Sequence, residues 1–142
     1  MHHKHGFSLI EVLIALVIVA IMGTVVALNL VGTADEAKIT STAQQIDTLA
    51  TAVTLYKTQQ GRLPTQQQGL EALVEKPQTE PIPPRYPQGG YLNSREVPRD
   101  AWDNSFIYLV PGRDNQPFEI LSYGADGMEG GEGLDADLSS SD

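Results

Sequence analysis

The sequence predicts an α+β fold in which one long N-terminal helix packs on a small C-terminal antiparallel sheet. Three observations predict it. All nine prolines of the 142 residues follow residue 63, so the first half can run as one helix while the second is punctuated into short elements. Before Pro64 the apolar residues are nearly continuous from Phe7 to Ala34 and then recur at steps of four and three, at Ile39, Ala43, Ile46, Ala50 and Val53. After it, two apolar-aromatic runs flank a turn rich in Pro, Gly, Asp and Asn.

The N-terminal block from Phe7 to Ala34 carries a single charge, Glu11, and no proline. At ~1.5 Å per residue, about 20 apolar residues cross a hydrocarbon layer of ~30 Å, so this half of the helix is long enough to span a membrane. Lys4 and the histidines ahead of it favour a leader kept on the cytoplasmic side. A cleaved secretory signal, a permanent anchor and an assembly helix later extracted from the membrane are the three readings. The run is longer than a secretory signal, whose apolar part has about 7–15 residues. Glu11 is out of place in an ordinary anchor, because a carboxylate in hydrocarbon costs roughly 2.5–3.5 kcal/mol unless it finds a partner. A free amine at the same depth is the natural partner, and it exists only if the chain is cut between Gly6 and Phe7.

Beyond Ala34 the stripe from Ile39 to Val53, widened by Leu49 and Tyr56, predicts a core-facing helix that continues the first. Gly61 is the expected stop, so the helix is predicted from Ser8 to about Thr58. Thr65–Val74 reads as a short second helix with Thr65 as its N-cap, ended by Pro77. Residues 78–88 form a proline-rich loop. Three runs read as strands, Tyr91–Val97 weakly, then Phe106–Val110 and Phe118–Tyr123, the last two joined by a turn through Pro111–Asn115. Trp102 reads as a core or sheet-edge anchor without chemistry.

Composition narrows the function. With no cysteine there is no disulfide, thiolate metal site or cysteine nucleophile. The three histidines, His2, His3 and His5, all precede the apolar block, which removes imidazole chemistry from the rest of the chain. A net charge of −9 argues against a nucleic-acid partner. Six of those nine excess negative charges lie between Asp126 and Asp142, at Asp126, Glu129, Glu132, Asp135, Asp137 and Asp142. In residues 124–137 these acids alternate with glycines that let the backbone turn tightly enough to aim several oxygens at one centre. Such an end is either a solvated tail or a site for a hard cation such as calcium, which takes six to eight oxygens. It is not an EF-hand, since Asp126-Gly127-Met128-Glu129 lacks the acids of that loop.

Two sets of residues carry a family resemblance. Lys4-His5-Gly6 followed by Phe7-Ser8-Leu9-Ile10-Glu11-Val12 closely resembles the class III signal of type IV pilins and pseudopilins. Pro64-Thr65, Gln68-Gly69-Leu70-Glu71-Ala72-Leu73, Gly90-Tyr91-Leu92, Asp100-Ala101-Trp102-Asp103-Asn104, Tyr108-Leu109-Val110-Pro111-Gly112 and Gly124-Ala125-Asp126-Gly127 look like the major pseudopilins of type II secretion, in the same order. The chain departs where that family usually has Asp-Pro-Trp-Gly-Asn, and its last residues, Leu138 to Asp142, lack the family's usual aromatic.

The resemblance implies a leader, residues 1–6, removed by a prepilin peptidase that also methylates the amine of Phe7. It implies a transmembrane and assembly helix over residues 7–30 and a periplasmic α+β domain over residues 31–142. Glu11 would neutralise the amine of a neighbouring subunit, and one calcium ion would sit in the C-terminal loop. The implied ligands are the side chains of Asp126 and Asp137 and main-chain oxygens of Tyr123, Asp135 and Ser139, with Asp135 as a reserve side chain. The implied function is a non-enzymatic subunit of a secretion pseudopilus at the bacterial inner membrane. Its partners would be further copies of itself, minor pseudopilins, the assembly platform and, before assembly, membrane lipid. A type IV pilin for adhesion, motility or DNA uptake is the alternative within the superfamily, though its usual disulfide is impossible here. A membrane-anchored calcium-dependent binding module is the alternative from another class.

Overall fold

The computed structural model describes residues 8–142, without the side chains of residues 24–31. The chain falls into two compact units, one ending at Glu36 and the other comprising Ala37–Asp142. Helix α1, Leu9–Gln60, contributes to both. It stops where the sequence predicts: Gly61, at φ 73°, takes the left-handed conformation, and its N–H bonds the Lys57 carbonyl at 2.8 Å.

Within the second unit, the buried side of α1 is set by Thr42, Ile46, Leu49, Val53 and Tyr56, with Ala52 alongside. That stripe is rotated from the predicted one: Ile39, Ala43 and Ala50 are only half-buried, and Thr42 is fully enclosed. Polarity hid Thr42. Its hydroxyl accepts the Ala101 N–H at 3.2 Å, so it meets a loop donor rather than the apolar core.

The predicted second helix is shorter than expected. Thr65 and Gln68 do form a reciprocal box, the Thr65 N–H to Gln68 Oε1 at 3.1 Å and the Gln68 N–H to Thr65 Oγ1 at 3.2 Å. Gly69 then adopts φ 60°, which breaks the α conformation, and only a 3-10 turn, Leu70–Leu73, follows. Leu70, Ala72 and Leu73 nevertheless join the core with Phe106, Tyr108 and Ile120.

The sheet has three antiparallel strands in the order β1, β2, β3: Ile107–Leu109, Glu119–Ser122 and Leu138–Ser139. Strand β1 pairs with β2 through Tyr108 opposite Ile120, and β2 with β3 through Leu121 opposite Ser139. The predicted strand Tyr91–Val97 is a series of bends, and only an isolated bridge joins Arg99 to Ser105. The third strand comes instead from the tail. Every residue of β2 is buried, as a central strand requires. The outer edge of β1 is closed by the amide of Gln66, whose Nε2 donates to the Tyr108 carbonyl at 2.6 Å while its Oε1 accepts the Val110 N–H at 3.0 Å.

Candidate functional site

Two regions hold the residues singled out in the sequence, and each is described within its own unit. The first is the start of α1. Ser8 is its N-cap: the Ser8 N–H donates to Glu11 Oε2 at 3.1 Å and the Glu11 N–H to Ser8 Oγ at 3.3 Å, a reciprocal capping box. The lone acid of the apolar block therefore has a local use that the sequence reading missed, although the signal, Ser-x-x-Glu ahead of an apolar run, is present. Past this cap, large apolar side chains point outward on all sides. From Leu9 to Met22 they are between 49% and 80% exposed. A helix apolar all round is stable only among other apolar surfaces, whether lipid or protein. Among the described residues no helix is long and apolar enough to cross a membrane. The predicted span runs on through residues 24–30, whose side chains are outside the described residues, as are Gly6 and Phe7 altogether.

The second region is the C-terminal loop. Asp126 is exposed, and its carboxylate accepts the Met128 N–H at 3.0 Å. Asp137 is half-buried and accepts the Gly130 N–H at 3.0 Å, closing the loop between them. Asp135 lies in a 3-10 turn, Gly133–Asp135, half-buried like Tyr123 and Ser139. Its carbonyl oxygen packs so closely that a β-carbon at Gly131 would stand 2.6 Å from it and one at Gly124 2.8 Å. The glycines here are needed for close approach of backbone to backbone. Among the described residues no three acidic or imidazole side chains are grouped to hold a metal. The implied set uses two carboxylates and main-chain oxygens, an all-oxygen donor set that fits a hard cation. Glu129 and Glu132 are exposed.

Two buried acids that the sequence did not single out fasten this loop to the sheet. Glu119, at the start of β2, is 1% exposed. It accepts from Arg113 Nη2 at 2.7 Å, from the Arg113 N–H at 3.0 Å, and from the hydroxyls of Ser139 at 2.7 Å and Ser141 at 3.2 Å. The Arg113 guanidinium, foremost, and these hydroxyls hold the Glu119 carboxyl at about 2, well below the ordinary carboxylate range, against the opposing effect of burial. The C-terminal serines that replace the usual aromatic therefore anchor the tail by hydrogen bonds to a buried charge.

Asp100 plays the corresponding part on the other side. It is 6% exposed; Oδ1 accepts the N–H groups of Trp102 at 3.0 Å and Asn104 at 2.8 Å, and Oδ2 accepts the Ser122 hydroxyl at 2.6 Å. Asn104 Nδ2 in turn donates to the Gly124 carbonyl at 2.9 Å, the entry to the acidic loop. Asp103 stands where the family pattern has glycine, and it adopts φ 68°. Aspartate tolerates that region better than most side chains. Ala101 stands where the pattern has proline, and its N–H is the donor to Thr42 that proline would lack. Trp102 is half-buried at the rim of this loop.

The chain matches two family models, "Type II secretion system (T2SS), protein G" over residues 29–141 and "Prokaryotic N-terminal methylation motif" over residues 1–27. It is 41% identical over 135 residues to the type II secretion system core protein G of Pseudomonas aeruginosa, covering 95% of this chain and 93% of that one. Identity is also 41% over 138 residues to the protein of the same name from Vibrio cholerae, covering 97% and 92%. Among solved structures, the major pseudopilin from the type 2 secretion system of enterohaemorrhagic Escherichia coli matches with a TM-score of 0.65 and 34% identity. That match covers 79% of this chain and 93% of that one.

Proposed function

Since the chain belongs to the type II secretion system protein G family, we propose that it is the major structural subunit of a secretion pseudopilus. The role is structural, not enzymatic, and assembly proceeds through the apolar half of α1. The observation that carries this reading is the helix from Leu9 to Met22, apolar and exposed on every side with a single carboxylate at its capped start. In a membrane, lipid covers those side chains. In a filament, the same half-helices of other copies cover them, and packing replaces lipid contact at little net cost.

Glu11 sets the register. Before cleavage its carboxylate is satisfied by the Ser8 N–H. Removal of residues 1–6 by a prepilin peptidase creates an amine at Phe7, which is methylated, and that cation on one subunit pairs with Glu11 of its neighbour. Each buried charge then has a partner, which a dry helical bundle requires. The soluble domain faces the periplasm from the inner membrane, where minor pseudopilins and an assembly platform are the further partners. Incorporation tests the reading: supplied with a prepilin peptidase, the chain enters sedimentable filaments; without the peptidase it stays in the membrane fraction. Filaments built equally well without cleavage would overturn it.

Calcium belongs to the same proposal. The Asp126 and Asp137 carboxylates with main-chain oxygens of Tyr123, Asp135 and Ser139 would hold the ion, which supplies positive charge at the most acidic part of the chain. The Met128 and Gly130 N–H groups donate to these two carboxylates and fix where they point. A ligand that binds only the folded state stabilises it by mass action, about 2.7 kcal/mol at a hundredfold excess over Kd. Excess chelator is therefore expected to lower the melting temperature of the soluble domain, with restoration by calcium. An unchanged melting curve would remove the site.

A further inference from the structure

On the face of the domain formed by Leu70–Leu73 and residues 95–99 lies an open cleft of about 500 Å³. Its apolar floor is supplied by Leu70, Val74, Val97 and Phe106, and its rim includes Arg95 and Arg99. Arg95 is exposed, and the Arg99 side chain, 59% exposed, faces the still more exposed Asp103, its Nη1 donating to the Asp103 carbonyl at 2.9 Å and its Nε 3.8 Å from the Asp103 carboxylate. The Arg95 guanidinium and the unbonded nitrogen of Arg99 face solvent at this rim, where Glu71 and Glu96 balance the charge of the lining.

The acidic loop carries an exposed apolar side chain among carboxylates. Met128 is 67% exposed, an unbranched apolar side chain standing free among Asp126, Glu129 and Glu132, all exposed themselves. Its backbone is fixed by the bond from the Met128 N–H to Asp126. A flexible thioether flanked by carboxylates suits an apolar floor flanked by guanidiniums. Cleft and knob are two different patches of one chain. Patches that complement each other but do not coincide make a head-to-tail contact, and such contacts propagate into open helical polymers.

We infer that in the filament the Met128 loop of one subunit docks into the Arg95–Arg99 cleft of a second copy, Met128 on the apolar floor, Glu129 and Glu132 against the two arginines. The contact rests on the filament reading above and adds a second interface to it, between soluble domains instead of apolar helices.

Cysteine cross-linking tests this cleanly because the chain has no cysteine of its own. The full-length chain carrying both Arg95→Cys and Glu129→Cys, assembled with the peptidase and treated with a short bis-maleimide, is expected to give a covalent ladder of dimers, trimers and higher multimers. Either single variant should give none beyond dimers. Filaments seen by electron microscopy without a ladder would overturn the docking while leaving the filament reading intact, and absence of filaments from the unmodified chain would overturn both. A second pair of variants reads the same contact without cross-linking. Arg95→Glu with Arg99→Glu, folded by its melting curve, should cut filament yield about tenfold, with recovery on adding Glu129→Arg and Glu132→Arg. Undiminished filaments from the double glutamate variant would count against the contact.

Discussion

Replacement of Glu11 by leucine is expected to abolish filaments while leaving the domain Ala37–Asp142 folded. The carboxylate caps the helix and is proposed to pair with an amine, and the magnitudes of the two roles differ. As the N3 member of the capping box with Ser8 it stabilises the first turn of α1 by about 1 kcal/mol, a small matter for a helix of 52 residues. As the proposed partner to a neighbour's terminal amine it would prevent an unpaired buried cation, and breaking such a pair costs about 3–5 kcal/mol, roughly two to four powers of ten in affinity at every subunit contact. Glu11→Gln separates the two roles. Glutamine closes a capping box as glutamate does but carries no charge, so it should restore the helix start and still fail to assemble. If filaments of Glu11→Gln match those of the unaltered chain, capping alone is what the position supplies. Circular dichroism and thermal melting of both variants should be unchanged in the soluble part.

The second large effect is expected at Glu119. Glu119→Ala removes the acceptor shared by Arg113, Ser139 and Ser141, and with it the side-chain bonds that reinforce the backbone pairing of β3 and the tail with β2. Arg113, with 46% of its side chain exposed, can return to water, so the cost falls at the lower end for a broken buried pair, about 3 kcal/mol. For a domain of this size that lowers Tm by on the order of 10 °C. The same carboxylate gives an acid limb. Its folded value, about 2, lies below its ordinary value of 4.5. The stabilisation is therefore complete above the ordinary value and is lost as the pH falls from there toward the folded one. Melting temperature measured across that window should fall in the unaltered chain and fall less steeply in Glu119→Gln. Equal slopes would show that Glu119 gains nothing from its ionised form.

How far the sequence could be read follows from which residues act locally. The end of α1 at Gly61 and the capping by Thr65 depend on neighbours a few positions away, so spacing and residue type were enough to find them. The turn between β1 and β2 was legible in the same way, from Pro111, Gly112, Asp114 and Asn115. What escaped depends on partners far along the chain. Thr42 is buried because Ala101 supplies a donor 59 residues away, and a threonine on a helix gives no hint of that. Asp100 and Glu119 look like solvated acids until Ser122 and Arg113 are placed against them. Strand β3 is two residues, Leu138 and Ser139, too short to show a period, and it forms because β2 offers an open edge. In the candidate loop the acid–glycine pattern was visible, but the buried acids that moor it to the sheet were not. The capping role of Glu11 was legible and was overlooked, because its place in the apolar block drew attention to charge instead of to Ser8 three residues before it.

Glu11 is proposed to meet an amine that only proteolysis creates, and intact mass of the subunits within purified filaments reports whether that cut has been made. One species is expected, a chain beginning at Phe7 and carrying a single added methyl group. Filaments whose subunits still carry residues 1–6 would contradict it.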